Sequence, residues 1–263
     1  MNKANLILIV TLGLFIFQGC AGKKTRPEPT LPMQEQFTSA DNNLEDAEYL
    51  DDEYLDDEYL EESKQPDGLE GVNRAFFSFN DGVISYVFKP INTVYTGFFP
   101  PDVRRGFGNF YRNLGYPVRL INALLQFKFD KVYKETASFA LNTLFGVGGL
   151  FHITHDMPSL QSSPEDFGQT LAFYGMGHGS YVVLPLLGPS SLRDTVGLVA
   201  DAVVHPLFWV QPDAVQYSLT GHDKTNALSA QLPTYETIKE ESFDHYTSMK
   251  DIYFQHRTSL EGQ

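Results

Sequence analysis

The sequence predicts an all-α fold, a bundle of amphipathic helices that lies partly in one membrane leaflet behind a disordered N-terminal tether. Three observations predict it. From residue 67 onward, apolar residues recur mostly at helical spacing, three and four positions apart. Residues 73–88 are apolar around most of the helix circumference, which is typical of a helix enclosed on most sides or facing lipid. No run of about 18 or more apolar residues follows residue 19, so no simple membrane-spanning helix is predicted there.

The only cysteine, Cys20, stands where a bacterial lipoprotein is acylated. Lys3 supplies a positive charge, residues 6–17 form a short apolar core, and the small residue Gly19 precedes the cysteine, as in a secretory signal. We expect residues 1–19 to be removed and Cys20 to carry fatty acyl chains such as palmitate. An ordinary signal peptide with an incidental cysteine is the alternative. No Asp follows Cys20, so the inner-membrane retention signal of enteric lipoproteins is absent and the outer membrane is the expected location.

Residues 20–66 predict a disordered, lipidated linker. Its centre is an acidic repeat, in which the sequence of residues 48–52 recurs over 53–57 and, with Glu in place of Asp, over 58–62. A period of five matches neither a helix nor a strand, and dense like charge resists compaction. The segment is either a solvated spacer or a docking tail for a basic partner or for divalent cations.

The net charge of −14 comes almost entirely from this linker. Residues 41–70 contain 14 acidic residues and one basic residue, whereas residues 71–263 contain 17 acidic and 14 basic residues. The folded part is therefore nearly neutral and lacks the basic surface that nucleic-acid binding requires, so no nucleic-acid partner is expected. With one cysteine there is no internal disulfide, and a core or a membrane must supply the stability.

The folded domain is expected to span residues 67–257, followed by a disordered tail at 258–263. Pro90 is expected to end the first helix, while Asp130 and Ser191 are candidate N-caps of later helices. The helices are predicted, in chain order, over 73–88, 101–112, 117–127, 130–145, 191–205 and 235–253. Residues 181–187 are the best strand-like run.

No catalytic, cofactor or metal site emerges from the motifs. The Gly-rich residues 175–180 lack the Lys of a phosphate-binding loop and a preceding strand. His152, His155 and Asp156 have ligand chemistry, but no partner His lies near in sequence, and an interfacial or capping role is favoured. No Gly-x-Ser-x-Gly elbow occurs. We therefore expect neither an enzyme nor a bound cofactor.

Motifs spread through the domain strongly resemble the MlaA (VacJ) lipoprotein family. The resemblance runs in order from Asp67 to Arg257, and the long acidic repeat is the departure from the family pattern. The matching segments are residues 67–74, 79–80, 112–114, 142–149, 165–171, 174–177, 185–194 and 253–257.

This resemblance implies a function in outer-membrane lipid asymmetry. The family implies a helical ring in the periplasmic leaflet that encloses an amphipathic channel. Phospholipid mislocalised to the outer leaflet passes through the channel to a periplasmic carrier, MlaC, and family members associate with trimeric porins. Two other classes stay open: a structural lipoprotein that tethers a partner through its acidic tail, and a lipid hydrolase.

Two sets of site residues follow from the residues and this resemblance together. Asn73 and Asn80, seven positions apart on a Phe-rich helix with Phe76 and Phe79, are candidates to line the lipid channel. The alternative for both asparagines is that they satisfy buried backbone groups. Three glycines in four positions are candidates for a mobile gating turn, whose alternative is a helix C-cap that needs only one glycine. These are Gly146, Gly148 and Gly149.

Overall fold

The computed structural model describes residues 67–262 of the 263-residue chain. The predicted signal, Cys20 and the acidic linker lie outside the described residues. The described part is mainly helical and contains one two-stranded sheet, which confirms the all-α class. None of its helices is both long enough and apolar enough to span a bilayer.

The first two helices form one continuous rod. Helix α1 (Glu70–Val83) passes through a π-helical turn (Ile84–Phe88) into α2 (Lys89–Phe98). The prediction that Pro90 ends the helix was wrong. The widened turn lets the N–H of Lys89 donate to the carbonyl of Ile84, and Pro90 then occupies the first turn of α2, where its missing N–H costs little.

Three helices follow, with short turns between them. They are α3 (Pro101–Leu114), α4 (Tyr116–Leu125) and α5 (Phe129–Leu144). Asp130 is not the N-cap of α5, because Lys128 occupies that position without a side-chain cap. Asp130 instead lies in the first turn, where its carboxylate forms an ion pair with Lys134 at 2.6 Å. Its negative charge also interacts favourably with the positive end of the helix dipole.

The middle of the chain contains a β-hairpin between two capped helices. Two 3₁₀ turns (Ile153–Asp156 and Pro158–Leu160) lead to α6 (Phe167–Phe173), β1 (Tyr181–Leu184), β2 (Gly188–Ser191) and α7 (Leu192–Val204). Strands β1 and β2 are antiparallel, with Tyr181 opposite Ser191. The prediction for Ser191 is confirmed, since its side chain accepts from the backbone N–H of Asp194.

The C-terminal region consists of two helices where the sequence predicted one. A 3₁₀ turn (Pro206–Trp209) precedes α8 (Asp213–Glu241), and α9 spans His245–Glu261. Asp244 caps α9 by accepting from the N–H of Tyr246. The helix is therefore interrupted at residues 242–244, within the apolar stripe from which one continuous helix was predicted. The expected tail from residue 258 is instead the last turn of α9 as far as Glu261.

The elements pack in an order that returns to its starting point. Helix α1 contacts β1, the hairpin contacts α7, α7 packs on α6, and α6 packs on α4. Helix α4 then contacts α3, α3 packs on α8, and α8 contacts α2, which continues α1. A closed circuit of this kind is what a ring-like bundle requires, and it leaves α3 between the α4–α5 pair and α8.

Candidate functional site

One face of α3 carries polar and small side chains without a large apolar residue. Arg104, Gly108 and Arg112 follow one another at intervals of four, and Arg105 and Asn109 lie beside them. This spacing places all five on one side of the helix. Gly108 allows α8 to pack close to this face, because a Cβ there would lie only 3.3 Å from Asn226 Nδ2 on α8.

Three adjacent cavities open along this face. They have volumes of about 380, 350 and 930 Å³, and Asn109 and Arg112 line all three. The first also borders α8, the second borders α4 and α5, and the third borders residues 150–156. We call these three adjacent cavities the α3 cleft. Its lining combines charged and amide side chains with apolar surface, and it is large enough to hold a small amphipathic molecule.

The cleft wall toward α4 and α5 is neutralised by an ion pair. Arg119 Nε lies 2.7 Å from Glu135 Oε2, and both side chains are mostly buried. Ser162 donates to the other carboxylate oxygen of Glu135 at 2.7 Å. A second Arg119 nitrogen donates to the backbone carbonyl of Arg112 at 2.7 Å, which fixes the last turn of α3 against α4. This wall therefore contributes hydrogen bonds but little net charge.

Arg112 faces a histidine across the cleft. One guanidinium nitrogen of Arg112 contacts His152 Nδ1, and because arginine carries no acceptor, the histidine nitrogen must accept. Burial lowers the pKa of Arg112, with the charge of Arg119 adding to the effect. Burial, followed by the charges of Arg112 and His155, lowers the pKa of His152. His152 is thus held neutral with its proton on Nε2 while Arg112 supplies the positive charge.

The two candidate channel asparagines bind the hairpin. Asn73 is almost fully buried; its Nδ2 donates to the carbonyl of Tyr181 and its Oδ1 accepts from the N–H of Val183, both at 2.9 Å. Asn80 repeats the arrangement two turns later, with Leu184 and Leu186. These contacts supply the alternative role that the sequence left open, the satisfaction of backbone groups. A channel-lining role for either residue stays a prediction.

Phe76 and Phe79 of α1 are exposed. Their exposed fractions are 39% and 51%, whereas Asn73 of the same helix is buried and Asn80 is half-buried. The structure therefore does not bring the four candidates together on one surface. The two phenylalanines belong to an apolar exterior, whereas the two asparagines face inward to the hairpin.

The glycine turn after α5 is closely packed. Three consecutive residues have positive φ: Val147 at 52°, Gly148 at 69° and Gly149 at 96°. A Cβ on Gly149 would lie 2.5 Å from the Cβ of Asn113, and a Cβ on Gly146 would lie 2.2 Å from the carbonyl oxygen of Phe151. All three glycines are therefore needed for conformation or space, which a simple C-cap does not require. The gating role stays a prediction.

Backbone and side-chain hydrogen bonds hold this turn in place. The N–H of Gly148 donates to the carbonyl of Thr143 at 3.0 Å, and that of Phe151 donates to Gly146 at 2.9 Å. Asn113 of α3 donates to Thr143 Oγ1 at 2.9 Å and to the carbonyl of Gly148 at 3.3 Å. Since Asn113 also lines the 350 Å³ cavity, the turn forms part of the support of the α3 cleft.

The apolar side chains of the described residues are distributed inside out. Thirty-four large hydrophobic residues are exposed, whereas ten hydrophobic and fifteen polar or charged residues are buried. A water-soluble domain of this size places its large apolar residues inside. The most exposed examples lie on several helices and turns and include Tyr86, Phe98, Leu144, Phe145, Leu186 and Tyr217. We call this exposed apolar surface the apolar belt.

The buried charges near α9 have a structural role. Arg257 contacts Asp166 and Asp194 at 2.6 and 2.8 Å, and it joins the N-termini of α6 and α7. Arg193 pairs with Asp194 and Glu261 in the same cluster. Hydrogen bonds from Arg257 hold the pKa of Asp166 below its usual value although burial opposes this. Such satisfied pairs fix the packing of helix ends and are not an arrangement for proton transfer.

Metal-binding chemistry is not assembled within residues 67–262. No group of three or more His, Asp or Glu side chains in that range is arranged to hold a metal ion. His152 and His155 lie with ring centroids 5.6 Å apart, and His152 is engaged by Arg112.

Comparison with known proteins decides the family. The profile described as MlaA lipoprotein matches residues 65–260. The chain belongs to the MlaA lipoprotein family. The intermembrane phospholipid transport system lipoproteins MlaA of Shigella flexneri and of Escherichia coli are 35% and 34% identical to it over 194 residues. Each alignment covers 72% of this chain and 76% of the relative.

More distant and structural matches agree with this MlaA assignment. The lipoprotein MlaA of Haemophilus influenzae is 30% identical over 199 residues, which cover 73% of this chain and 78% of that protein. A solved structure, described as the structural basis for maintenance of bacterial outer membrane lipid asymmetry, superposes with a TM-score of 0.62 at 32% identity. It covers 74% of this chain and 98% of its own.

The cleft of this MlaA protein was missed at the level of sequence, although its signal is present. Helix α3 was predicted over 101–112, but the predicted channel residues lie on the Phe-rich α1. The intervals of four between Arg104, Gly108 and Arg112 would have shown a polar face in an otherwise apolar protein. The sequence does not reveal that His152, forty residues further along the chain, contacts Arg112 in the fold.

Proposed function

We propose that this MlaA protein is an outer-membrane lipoprotein that takes mislocalised phospholipid from the outer leaflet and passes it to a periplasmic carrier. Such transfer maintains the lipid asymmetry of the outer membrane. The family membership and the names of its relatives support phospholipid transport as the activity. The solved structure that superposes on this chain concerns outer-membrane lipid asymmetry, which supports the compartment.

One observation carries the mechanism: the domain has an apolar exterior and a cleft in which charged and amide side chains are concentrated. The apolar belt suits a body set among acyl chains in the periplasmic leaflet. The α3 cleft offers charged and amide groups to a headgroup that would be costly to move through hydrocarbon. A phospholipid matches this arrangement, because its headgroup follows the cleft while its tails stay with the belt, where Phe76 and Phe79 lie.

The attachment and the partners follow from the sequence and the family. Cys20 carries the lipid anchor, and residues 20–66 connect it to the domain. A periplasmic carrier of the MlaC type receives the lipid, and a trimeric porin accompanies the protein in the membrane. The protein acts without catalysis or cofactor, because lipid transfer breaks no covalent bond and its relatives are transport-system lipoproteins.

Lipid transfer from reconstituted vesicles tests this function. Purified lipidated protein is placed in vesicles that carry labelled phospholipid, and transfer to a soluble lipid carrier is measured together with the chemical integrity of the lipid. Asn109→Trp places a large ring at the residue that borders all three cavities, and we expect transfer to fall about tenfold or more. Tyr133→Trp, on the exposed side of α5, is the matched control and should transfer normally.

Two results would contradict the proposal. Equal transfer by the wild type and by Asn109→Trp would exclude the α3 cleft as the path. Release of free fatty acid or headgroup during the assay would instead indicate the lipid hydrolase that the sequence left open.

The alternative function, tethering of a partner, requires the acidic repeat, whereas lipid transport does not. Replacing residues 45–62 by a Gly/Ser spacer keeps the reach of the linker and removes its charge. We expect cells with this variant to resist detergent and chelator like the wild type. Loss of resistance at normal protein level, with vesicle transfer unchanged, would show that the repeat recognises a partner.

A further inference from the structure

The charge of Arg112 has no carboxylate partner in the described part of the chain. Five other arginines between residues 67 and 262 form ion pairs with Asp or Glu, namely Arg74, Arg105, Arg119, Arg193 and Arg257. Arg104 is satisfied by neutral groups, the carbonyl of Phe99 and the hydroxyl of Ser229. Arg193 also contacts a histidine, His178, but it has carboxylate partners as well. Arg112 has a histidine and no carboxylate as its side-chain partner, and it is the arginine of this set that lines every cavity of the α3 cleft.

The contact with His152 orients Arg112 without neutralising it. A guanidinium has five N–H donors, and the histidine accepts from one of its nitrogens. The remaining donors keep the planar fork that binds two oxygens of a phosphate or carboxylate at once. A positive charge that lines the cleft without a carboxylate partner favours an anion at this position.

A carboxylate without an ion-pair partner lines the same 930 Å³ cavity. Asp156 forms no ion pair with any residue in the 67–262 range, whereas Asp102, the other acid of this cavity, is paired with Arg105 at 3.1 Å. Asp156 follows His155 directly, and its charge opposes the lowering of the His152 pKa by burial and by Arg112 without outweighing it. The cavity thus holds one uncompensated cation and one uncompensated anion, both on its wall.

We propose that Arg112 and Asp156 form a recognition site for a zwitterionic headgroup, a phosphodiester that carries a primary amine. The phosphodiester oxygens accept from the Arg112 fork, and the ammonium group is bound by the Asp156 carboxylate. The one positive and one negative charge on the wall match the one negative and one positive charge of the ligand. A phosphomonoester would add a second negative charge beside Asp156, and a diester without an amine would leave Asp156 unpaired. This inference rests on the proposed function, since it names the lipid class that the cleft selects.

Binding of soluble headgroups to the full-length protein in a maltoside detergent tests the site without any transfer step. The probes are glycerophosphoethanolamine, glycerophosphoglycerol and inorganic phosphate, followed by titration calorimetry. We expect glycerophosphoethanolamine to bind best. We expect Arg112→Gln to weaken it by about tenfold or more, the scale of a lost charge-assisted hydrogen bond. Arg112→Lys keeps the charge but loses the fork, and should weaken binding by a smaller factor.

Asp156→Asn should remove the preference for the amine while leaving the binding of glycerophosphoglycerol unchanged or stronger. The matched controls are Arg74→Gln, which removes an already paired charge from α1 outside the cleft lining, and Asp130→Asn, which removes an exposed carboxylate from α5. Both should bind like the wild type. Arg112 is exposed, its backbone contact with Arg119 is retained, and only its side-chain contact with His152 changes, so the Arg112 variants should melt close to the wild-type temperature.

Three results would overturn the inference: unchanged binding by Arg112→Gln, an amine preference that survives Asp156→Asn, or inorganic phosphate binding as tightly as the headgroup. Transfer measured in parallel separates this inference from the proposed function. Headgroup binding without lipid transfer would contradict only the function, whereas transfer that is indifferent to Arg112 and to the headgroup would contradict only the inference.

Discussion

Asn80 on α1 holds the turn of the hairpin through Leu186, whose N–H donates to Asn80 Oδ1 at 2.7 Å. Leu186 has a φ of 65°, a conformation that branched L-residues rarely adopt. The Asn80 Nδ2 also donates to the carbonyl of Leu184 at 2.9 Å. The turn is therefore kept in an unfavourable conformation by a side chain from another element.

We expect Asn80→Ala to lower the free energy of unfolding by about 1–3 kcal/mol, because two backbone groups lose their partner. Adding Leu186→Gly should restore about 1 kcal/mol, since glycine adopts positive φ freely. Denaturant titration in detergent measures both, with Ser78→Ala on the exposed part of α1 as the control. If Asn80→Ala costs no more than Ser78→Ala, the contact does not stabilise the hairpin.

The glycine turn should respond differently at each position. Gly148→Ala has room for its Cβ but must adopt a φ of 69°, so we expect a loss of about 1 kcal/mol. Gly146→Ala and Gly149→Ala meet atoms within 2.5 Å, so they should lower protein abundance severely. Val147→Gly should stabilise the turn by relieving a β-branched residue at positive φ.

The same set tests the gating hypothesis. A hinge predicts that Gly148→Ala changes outer-leaflet phospholipid at normal abundance and membrane attachment. Wild-type asymmetry in that strain would reduce the turn to a structural support of Asn113. The double substitution of Gly148 and Gly149 by Val is unsuitable for this purpose, because its second Cβ displaces Asn113.

Asp201 should make stability depend on pH. Burial raises the pKa of Asp201 to about 6, although its carboxylate accepts from the N–H of Phe167 and from Asn122 Nδ2. A folded-state pKa above the unfolded value means that protonation favours the fold. Its contribution is therefore present below about pH 4 and is lost as the pH rises through 6, by about 1–3 kcal/mol.

Asp201→Asn removes this titration, so the difference between variant and wild-type unfolding free energies should itself change between about pH 4 and 7. The difference is the informative quantity, because burial lowers the pKa of several histidines, including His205, and these titrate in the opposite sense. At pH 7 the variant also places an amide against Asn122 Nδ2, which loses an acceptor. A pH-independent difference would show that Asp201 ionises normally in the fold.

Cys20→Ser should leave an uncut precursor without acyl chains, because the sequence offers no other thiol. Metabolic labelling with an alkyne fatty acid, followed by gel analysis, measures this. Lys23→Ser, three residues further along, is a control that should label normally. Labelling that persists in Cys20→Ser would contradict the lipid anchor.

The sequence was most informative where one local interaction decides the structure. Ser191 was found because a cap needs only the residue itself and an N–H three positions on. Pro90 was misjudged because a π-helical turn before it is a property of the backbone and has no fixed residue pattern. The roles of Asn73 and Asn80 depend on a hairpin more than one hundred residues away, and seven-residue spacing is equally compatible with a channel wall.

Because many large apolar residues are exposed, a substitution in this protein can impair function without lowering the free energy of unfolding. A substitution such as Phe98→Ser removes a side chain that is 77% exposed, so it leaves few contacts broken and little change in unfolding. The same substitution lowers the affinity of the body for hydrocarbon. Selection screens that score cellular abundance or melting temperature would therefore rank such variants as neutral, and sequence design for solubility would remove the residues that the protein most needs.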